Sequence, residues 1–223
     1  MTNRGVEKMK FRNGFIATAL VVTGGLMAGQ AMAADTGGYI GVSAGTSKAD
    51  IDQGELDRSL ASLGVGGTTT IDDKDTAFKI YGGYQFNRNF AIEGGYTNLG
   101  KFTSNTIITS GGSGTLSGEW KAWSLDFTAV GILPLGESAS LFGRAGVSAW
   151  SLNTDFRASG PGGVSTFSES SSGVSGLLAI GGAYNFTPQF GLRAEFERHF
   201  SVGNDDTGKS DIDLITVGLV YRF

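Results

Sequence analysis

Apolar residues recur at every second position in eight stretches, roughly 38–47, 76–86, 90–99, 120–133, 139–152, 173–186, 189–200 and 211–223. A repeat of two is that of a β-strand, whose successive side chains leave on opposite faces. In 76–86, Phe78, Ile80, Tyr84 and Phe86 share one register and Lys79, Tyr81 and Gln85 the other. In 90–99, Phe90, Ile92 and Tyr96 oppose Glu93 and Thr97. In 189–200, Phe190, Leu192, Ala194, Phe196 and Phe200 oppose Arg193, Glu195, Glu197 and His199. At the end of the sequence, Ile215, Val217, Leu219, Tyr221 and Phe223 alternate to the last residue. Each stretch is about ten to fourteen residues long. Soluble strands average about five or six, whereas a tilted strand needs about 9–11 to cross a bilayer.

The connections alternate in length. Residues 87–89, 134–138 and 187–189 are short and contain two of the three prolines, Pro134 and Pro188, placed where a missing N–H is harmless. Residues 48–75, 100–117, 153–172 and 201–210 are long and rich in Gly and Ser. This pattern predicts an all-β fold, an eight-stranded antiparallel transmembrane β-barrel with short periplasmic turns and long extracellular loops. The last strand must pair with the first, because hydrocarbon does not tolerate an open edge. The apolar register then faces lipid, and Phe86, Phe90, Phe186, Phe190, Tyr221 and Phe223 form an interfacial girdle near the short turns. Arg198 falls in the outward register, near the outer end of its strand, where a long side chain can snorkel. The competing arrangement is a soluble lipocalin-like barrel with the two registers exchanged.

Composition narrows the setting. Residues 1–33 combine Arg4, Lys8, Lys10 and Arg12 with an apolar run and the small residues Ala31 and Ala33, the pattern of a signal peptide cut after Ala33. Gly24 and Gly25 interrupt the run and argue against an uncleaved anchor. Residues 34–223 then form one barrel domain with 13 basic and 20 acidic residues, a net charge of −7 once Glu7 leaves with the leader. With no basic stripe, nucleic acid is not an expected partner. The absence of cysteine removes disulfides, thiolate metal sites and thiol nucleophiles, and the single histidine, His199, excludes a multi-histidine metal centre. No cofactor or metal is expected.

The inward register supplies the candidate site. Lys79, Arg144, Arg193 and Arg222 face Glu93, Asp126, Glu195 and Glu197, four charges of each sign. An eight-stranded barrel has an interior just wide enough for side chains, and desolvated ions must be paired. The expectation is a network that plugs the barrel, with a small gated ion pore as the alternative. His199 and Ser201, two residues apart in one register, resemble the His-x-Ser of outer-membrane lipid A deacylase barrels, but no glutamate follows Ser201 to complete a triad. In 48–75, Asp50, Asp52, Glu55, Asp57, Asp72, Asp73 and Asp75 outnumber Lys48, Arg58 and Lys74. That acidity disfavours polyanionic ligands, and "DIDQGELD" misses the EF-hand glycine by one position.

The segments "GGYQFNRNFAIEGGYTNLG", "WKAWSLDFTAVGILPL", "FGRAGVSAW", "GVSGLLAIGGAYNFTPQFGLRAEFE" and "GLVYRF" resemble the transmembrane domain of the outer membrane protein A family over essentially all of 38–223. The resemblance implies residence in the cell outer membrane among lipid and lipopolysaccharide. It also implies folding by the barrel-assembly machinery, with Tyr221 and Phe223 as the assembly signal. Glu93, Arg144 and Arg193 fall on the family's charged interior positions, whereas a family lysine falls on Val130 and a family glutamate on Ala183. No peptidoglycan-binding domain is expected after Phe223. The expected role is structural and without catalysis, a monomeric barrel supporting the envelope. An adhesin acting through 48–75, 100–117, 153–172 and 201–210 is the remaining alternative.

Overall fold

The computed structural model describes residues 36–51, 66–110, 113–204 and 208–223, together with positions 54, 58, 61, 62 and 64. The expected leader, with Ala31 and Ala33, lies outside the described residues, as does most of the acidic stretch between 52 and 65. Nine strands follow in chain order: β1 (Gly37–Ala49), β2 (Gly66–Asp72), β3 (Lys74–Asn87), β4 (Phe90–Ser110), β5 (Gly114–Pro134), β6 (Ala139–Gly160), β7 (Gly163–Asn185), β8 (Phe190–Asn204) and β9 (Gly208–Arg222). Eight of them close a ring in the order β4, β3, β1, β9, β8, β7, β6, β5, with β5 returning to β4. β9 pairs with β1 from Tyr39↔Arg222 to Ala49↔Ile212, and the Phe223 amide donates to the Gly38 carbonyl at 3.0 Å. The terminal alternation is therefore the closing stave of the barrel.

The long connections differ from expectation. Most of 100–117 and 153–172, and much of 201–210, is not loop but strand, because β4 through β9 run on past the apolar belt. β2, inside 48–75, adds a ninth strand along the outer part of β4, pairing Gly66–Asp72 with Thr103–Ser110. Stretches such as "VSTFSES" (164–170) are largely exposed on both faces, so they carry no apolar alternation to read, yet ladder hydrogen bonds form without it. On this outer part of β5, Glu119 accepts from Lys121 at 2.5 Å and faces Lys101 at 3.5 Å. The Lys121 hydrogen bond, with help from Lys101, holds the Glu119 carboxyl below the usual carboxylate range.

The wall is inverted relative to a soluble protein. Ile180 is 65 % exposed and Val217 56 %, with Ile80, Phe127 and Leu219 likewise turned outward. Lys79, Glu93 and Glu197 are buried. This excludes the lipocalin-like arrangement, since only a hydrocarbon solvent suits such a belt. The girdle at the short-turn end is a chain of ring contacts: Phe86–Phe90 at 5.9 Å, Phe186–Phe190 at 6.4 Å, Phe190–Tyr221 at 5.0 Å and Tyr221–Phe223 at 5.3 Å. A second group, Phe78–Tyr96–Trp123, lies higher on the wall. The rise between Phe86 and Phe78 along a tilted strand is about 20 Å, close to the apolar height of an outer-membrane barrel.

Glycine makes room for large inward rings. Tyr39 lies over its cross-strand partner Gly83, Tyr81 over Gly41, Phe142 over Gly181 and Trp150 over Gly173. A Cβ at Gly181 would enter the Phe142 ring and press on the Ala194 carbonyl. Gly181→Val is therefore expected to lower the unfolding free energy by about 1–3 kcal/mol through overpacking, read by urea titration of the folded barrel in vesicles.

Candidate functional site: the ionic interior

Following each strand upward from the short turns, the inward side chains change character twice. β3 presents Tyr81, then Lys79, then Ala77; β5 presents Val130, then Asp126, then Ala122; β9 presents Val220, then Thr216, then Leu214. The lower apolar layer is Tyr39, Tyr81, Ala91, Val130, Phe142 and Val220. The upper one is built around Leu99, Phe102, Trp150, Leu152, Val202, Ile212 and Leu214. Between them sit the ions.

Arg144 on β6 is the hub. Its Nη1 donates to Glu93 Oε1 at 2.7 Å, its Nε to Glu195 Oε2 at 3.0 Å and its Nη2 to Glu195 Oε1 at 2.8 Å, with a further short bond to Glu197 Oε2. Arg193 donates to Glu93 Oε2 and Glu195 Oε2, both at 2.6 Å. Lys79 donates to Glu195 Oε1 at 2.5 Å and Glu197 Oε2 at 2.7 Å. The Tyr39 hydroxyl donates to Glu93 Oε2 at 3.0 Å. The Arg193 guanidinium also lies 4.1 Å from the centroid of the Phe142 ring and 4.8 Å from that of Tyr81, so the lower layer holds the ions by cation–π contact as well as by excluding water. Charge-assisted bonds of this kind are roughly twice as strong as neutral ones.

Of the eight charged residues expected inside, six form this connected network. Asp126 is buried but apart from the six: its Oδ2 accepts from Thr97 at 2.6 Å, and its Oδ1 finds no partner among the described residues. Arg222 does not join. It is half-buried at the short-turn end and bonds Asn185 Oδ1. The strand spacing explains this, since Arg222 is one inward step beyond Val220 toward the short turns, and the lower apolar layer stands between it and the ions. In its place the network gains His199, fully buried, with Nε2 at 2.8 Å from Glu197 Oε1 and Nδ1 at 3.0 Å from Ser148 Oγ. Tyr39 and Ser148 are further participants that the alternation of charged and apolar residues does not single out.

His199 and Ser201 do not share a register. A bulge between His199 and Val202, with Ser201 at φ +50°, turns Ser201 outward, where its amide donates to Asp211 Oδ1 at 2.9 Å. His199 serves Ser148 and Glu197 instead, so the His-x-Ser spacing builds no nucleophile–base pair. Asp126, Glu197 and His199 bring metal-type ligand atoms within 4.8 Å of one another. Both Glu197 oxygens are already engaged, one by Lys79 and Arg144 and the other by His199. The cluster thus reads as the upper edge of the ion network. Outside the wall, Arg198 does more than snorkel: Nε and Nη2 bind the two Asp213 oxygens, both at 2.6 Å.

The model of the OmpA-like transmembrane domain family matches residues 33–223. Outer membrane protein A of Serratia marcescens is 26 % identical over 210 residues, covering 93 % of this chain and 55 % of that protein. Its Shigella flexneri counterpart is 30 % identical over 145 residues, covering 64 % of this chain and 39 % of that protein. The chain therefore spans between about two-fifths and just over half of these relatives. Among solved structures, Neisserial surface protein A superposes with a TM-score of 0.52 at 17 % identity, covering 83 % of this chain and 97 % of that one.

Proposed function

From the premise that this chain belongs to the OmpA-like transmembrane domain family, and so is a β-barrel of the outer membrane, we propose that it is a structural barrel plugged by its own charges. The carrying observation is Arg144, bonded to three glutamates and sealed between two apolar layers. An ion crossing the barrel would have to break charge-assisted bonds and pass Leu99, Phe102 and Leu214 without water, a penalty of several kcal/mol. Val130 and Ala183, where the family carries a lysine and a glutamate, belong with the lower apolar layer and offer no alternative ion partner. The plug is static in this reading. Pure protein in planar bilayers is expected to give no porin-sized conductance steps, and regular steps of that size would overturn the plug.

Tyr221 and Phe223, stacked edge-on at the rim with Phe223 largely exposed, form the proposed signal for the barrel-assembly machinery. The tall hairpins of β4–β7 are the surfaces through which an adhesive role would act. Loss of cell binding on trimming 153–172, with the barrel still folded, would favour that second role.

A further inference from the structure

The ring of hydrogen bonds opens over its longest stretch between β7 and β8. β7 and β8 pair from Asn185↔Gly191 up to Leu177↔His199 and no further among the described residues. β7 continues from Gly176 out to Gly163 paired only with β6. β8 leans the other way: the bulge at 199–202 and the Ser201–Asp211 bond draw it onto β9. The result is a cleft of about 460 Å³ through the wall, with Trp150, Val174, Ser175, Phe200 and Lys209 among its lining.

Three polar atoms at the cleft stand out. Trp150 is 5 % exposed, and its indole Nε1–H has no acceptor among the described residues. The buried hydroxyls of Ser175 in the cleft and Ser171 beside it are also without partners among the described residues. A buried donor left unmade costs about 1–3 kcal/mol, and here three such atoms flank one opening. Height is the second clue. Just below the seam, Leu178 and Ile180 face lipid, while Val174, at the seam itself, is still apolar and turned outward. The cleft therefore opens at headgroup level, with apolar wall beneath and donors plus an ammonium within.

We propose that this seam binds a phosphorylated lipid of the outer leaflet. Phosphate oxygens accept from Trp150 Nε1, Ser175 and Lys209, and the first acyl carbons lie against Phe200 and Val174. The donor set needs an acceptor-only head with several oxygens, which phosphate supplies.

The test uses the folded barrel in dodecyl maltoside micelles and follows the indole ¹⁵N–¹H resonance of Trp150, identified by its loss in Trp150→Phe. Dodecyl phosphate is expected to shift it saturably while the resonances of Trp120 and Trp123 stay in place. Inorganic phosphate should need at least tenfold more, which separates a lipid head from free phosphate. Gly176→Ile fills the mouth at a position where a Cβ would meet only Phe200, at 3.9 Å, and should weaken the response at least tenfold without unfolding the barrel. Ser175→Ala should weaken it several-fold. A Trp150 resonance that does not move, that responds equally in Gly176→Ile, or that saturates with inorganic phosphate at the same concentration would each overturn the proposal.

Discussion

Arg144→Met is expected to lower the unfolding free energy by about 3–5 kcal/mol, the cost of leaving buried carboxylates without their cation. Methionine keeps much of the stem and removes only the guanidinium, so the change is electrostatic rather than a cavity. Glu93, Glu195 and Glu197 each lose a bond, and Glu195 loses two. Lys79 and Arg193 remain, but together they reach the same three carboxylates with fewer donors and already use them. Two controls make the result specific. Arg222→Met removes a cation whose one hydrogen-bond partner among the described residues is Asn185 at the rim and should cost well under half as much. Glu93→Gln, which keeps the shape but gives Arg144 and Arg193 a neutral acceptor, should fall between them at about 1–3 kcal/mol. Urea titration of each variant in vesicles, followed by the loss of heat-modifiable gel mobility, gives the order. If Arg144→Met matched Arg222→Met, the hub would not be holding the interior.

Glu93, Lys79 and the β8 ladder Arg193–Glu195–Glu197 were readable from alternation alone, because Lys79, Arg193 and Glu195 sit between outward apolar neighbours and Glu93 and Glu197 each follow one in the same period of two. The upper apolar layer was not. Along β9, Ile215, Val217 and Leu219 point to lipid, as alternation implies, while Leu214 and Val220 point inward, and alternation does not reveal these apolar residues on the inner face. Leu99 and Trp150 were hidden the same way, as apolar residues on the face that alternation reserves for charge. Arg222, expected among the interior charges, lies instead at the short-turn end beside Asn185, a height that alternation does not carry. His199 was in the correct register; what sequence could not give was Ser148, about fifty residues away, as its partner. The seam was invisible for a further reason: an unmade hydrogen-bond pairing leaves no mark on composition, and only the bulge at Ser201 betrays it.

Val217→Arg tests the other half of the architecture, the outward face, and is expected to cost about 2–4 kcal/mol in a lipid bilayer. Val217 is flanked by Ala44 on β1 and Ala194 on β8, both outward and small, so a guanidinium there has no carboxylate beside it. Asp213, which neutralises Arg198 at the upper rim, lies too far along the strand to serve both. The native chain thus tolerates an outward cation only where it is paired and near the interface, and Val217 offers neither condition. Leu135→Arg is the matched control: Leu135 is equally exposed but lies at the short turn, where water and headgroups solvate the charge and the cost should be about 0–1 kcal/mol. The difference between the two variants should shrink in short-chain detergent, where water reaches the belt, and widen in a bilayer. Equal costs at Val217 and Leu135 in vesicles would mean that Val217 does not face hydrocarbon, and the inverted wall on which the sealed interior depends would have to be given up.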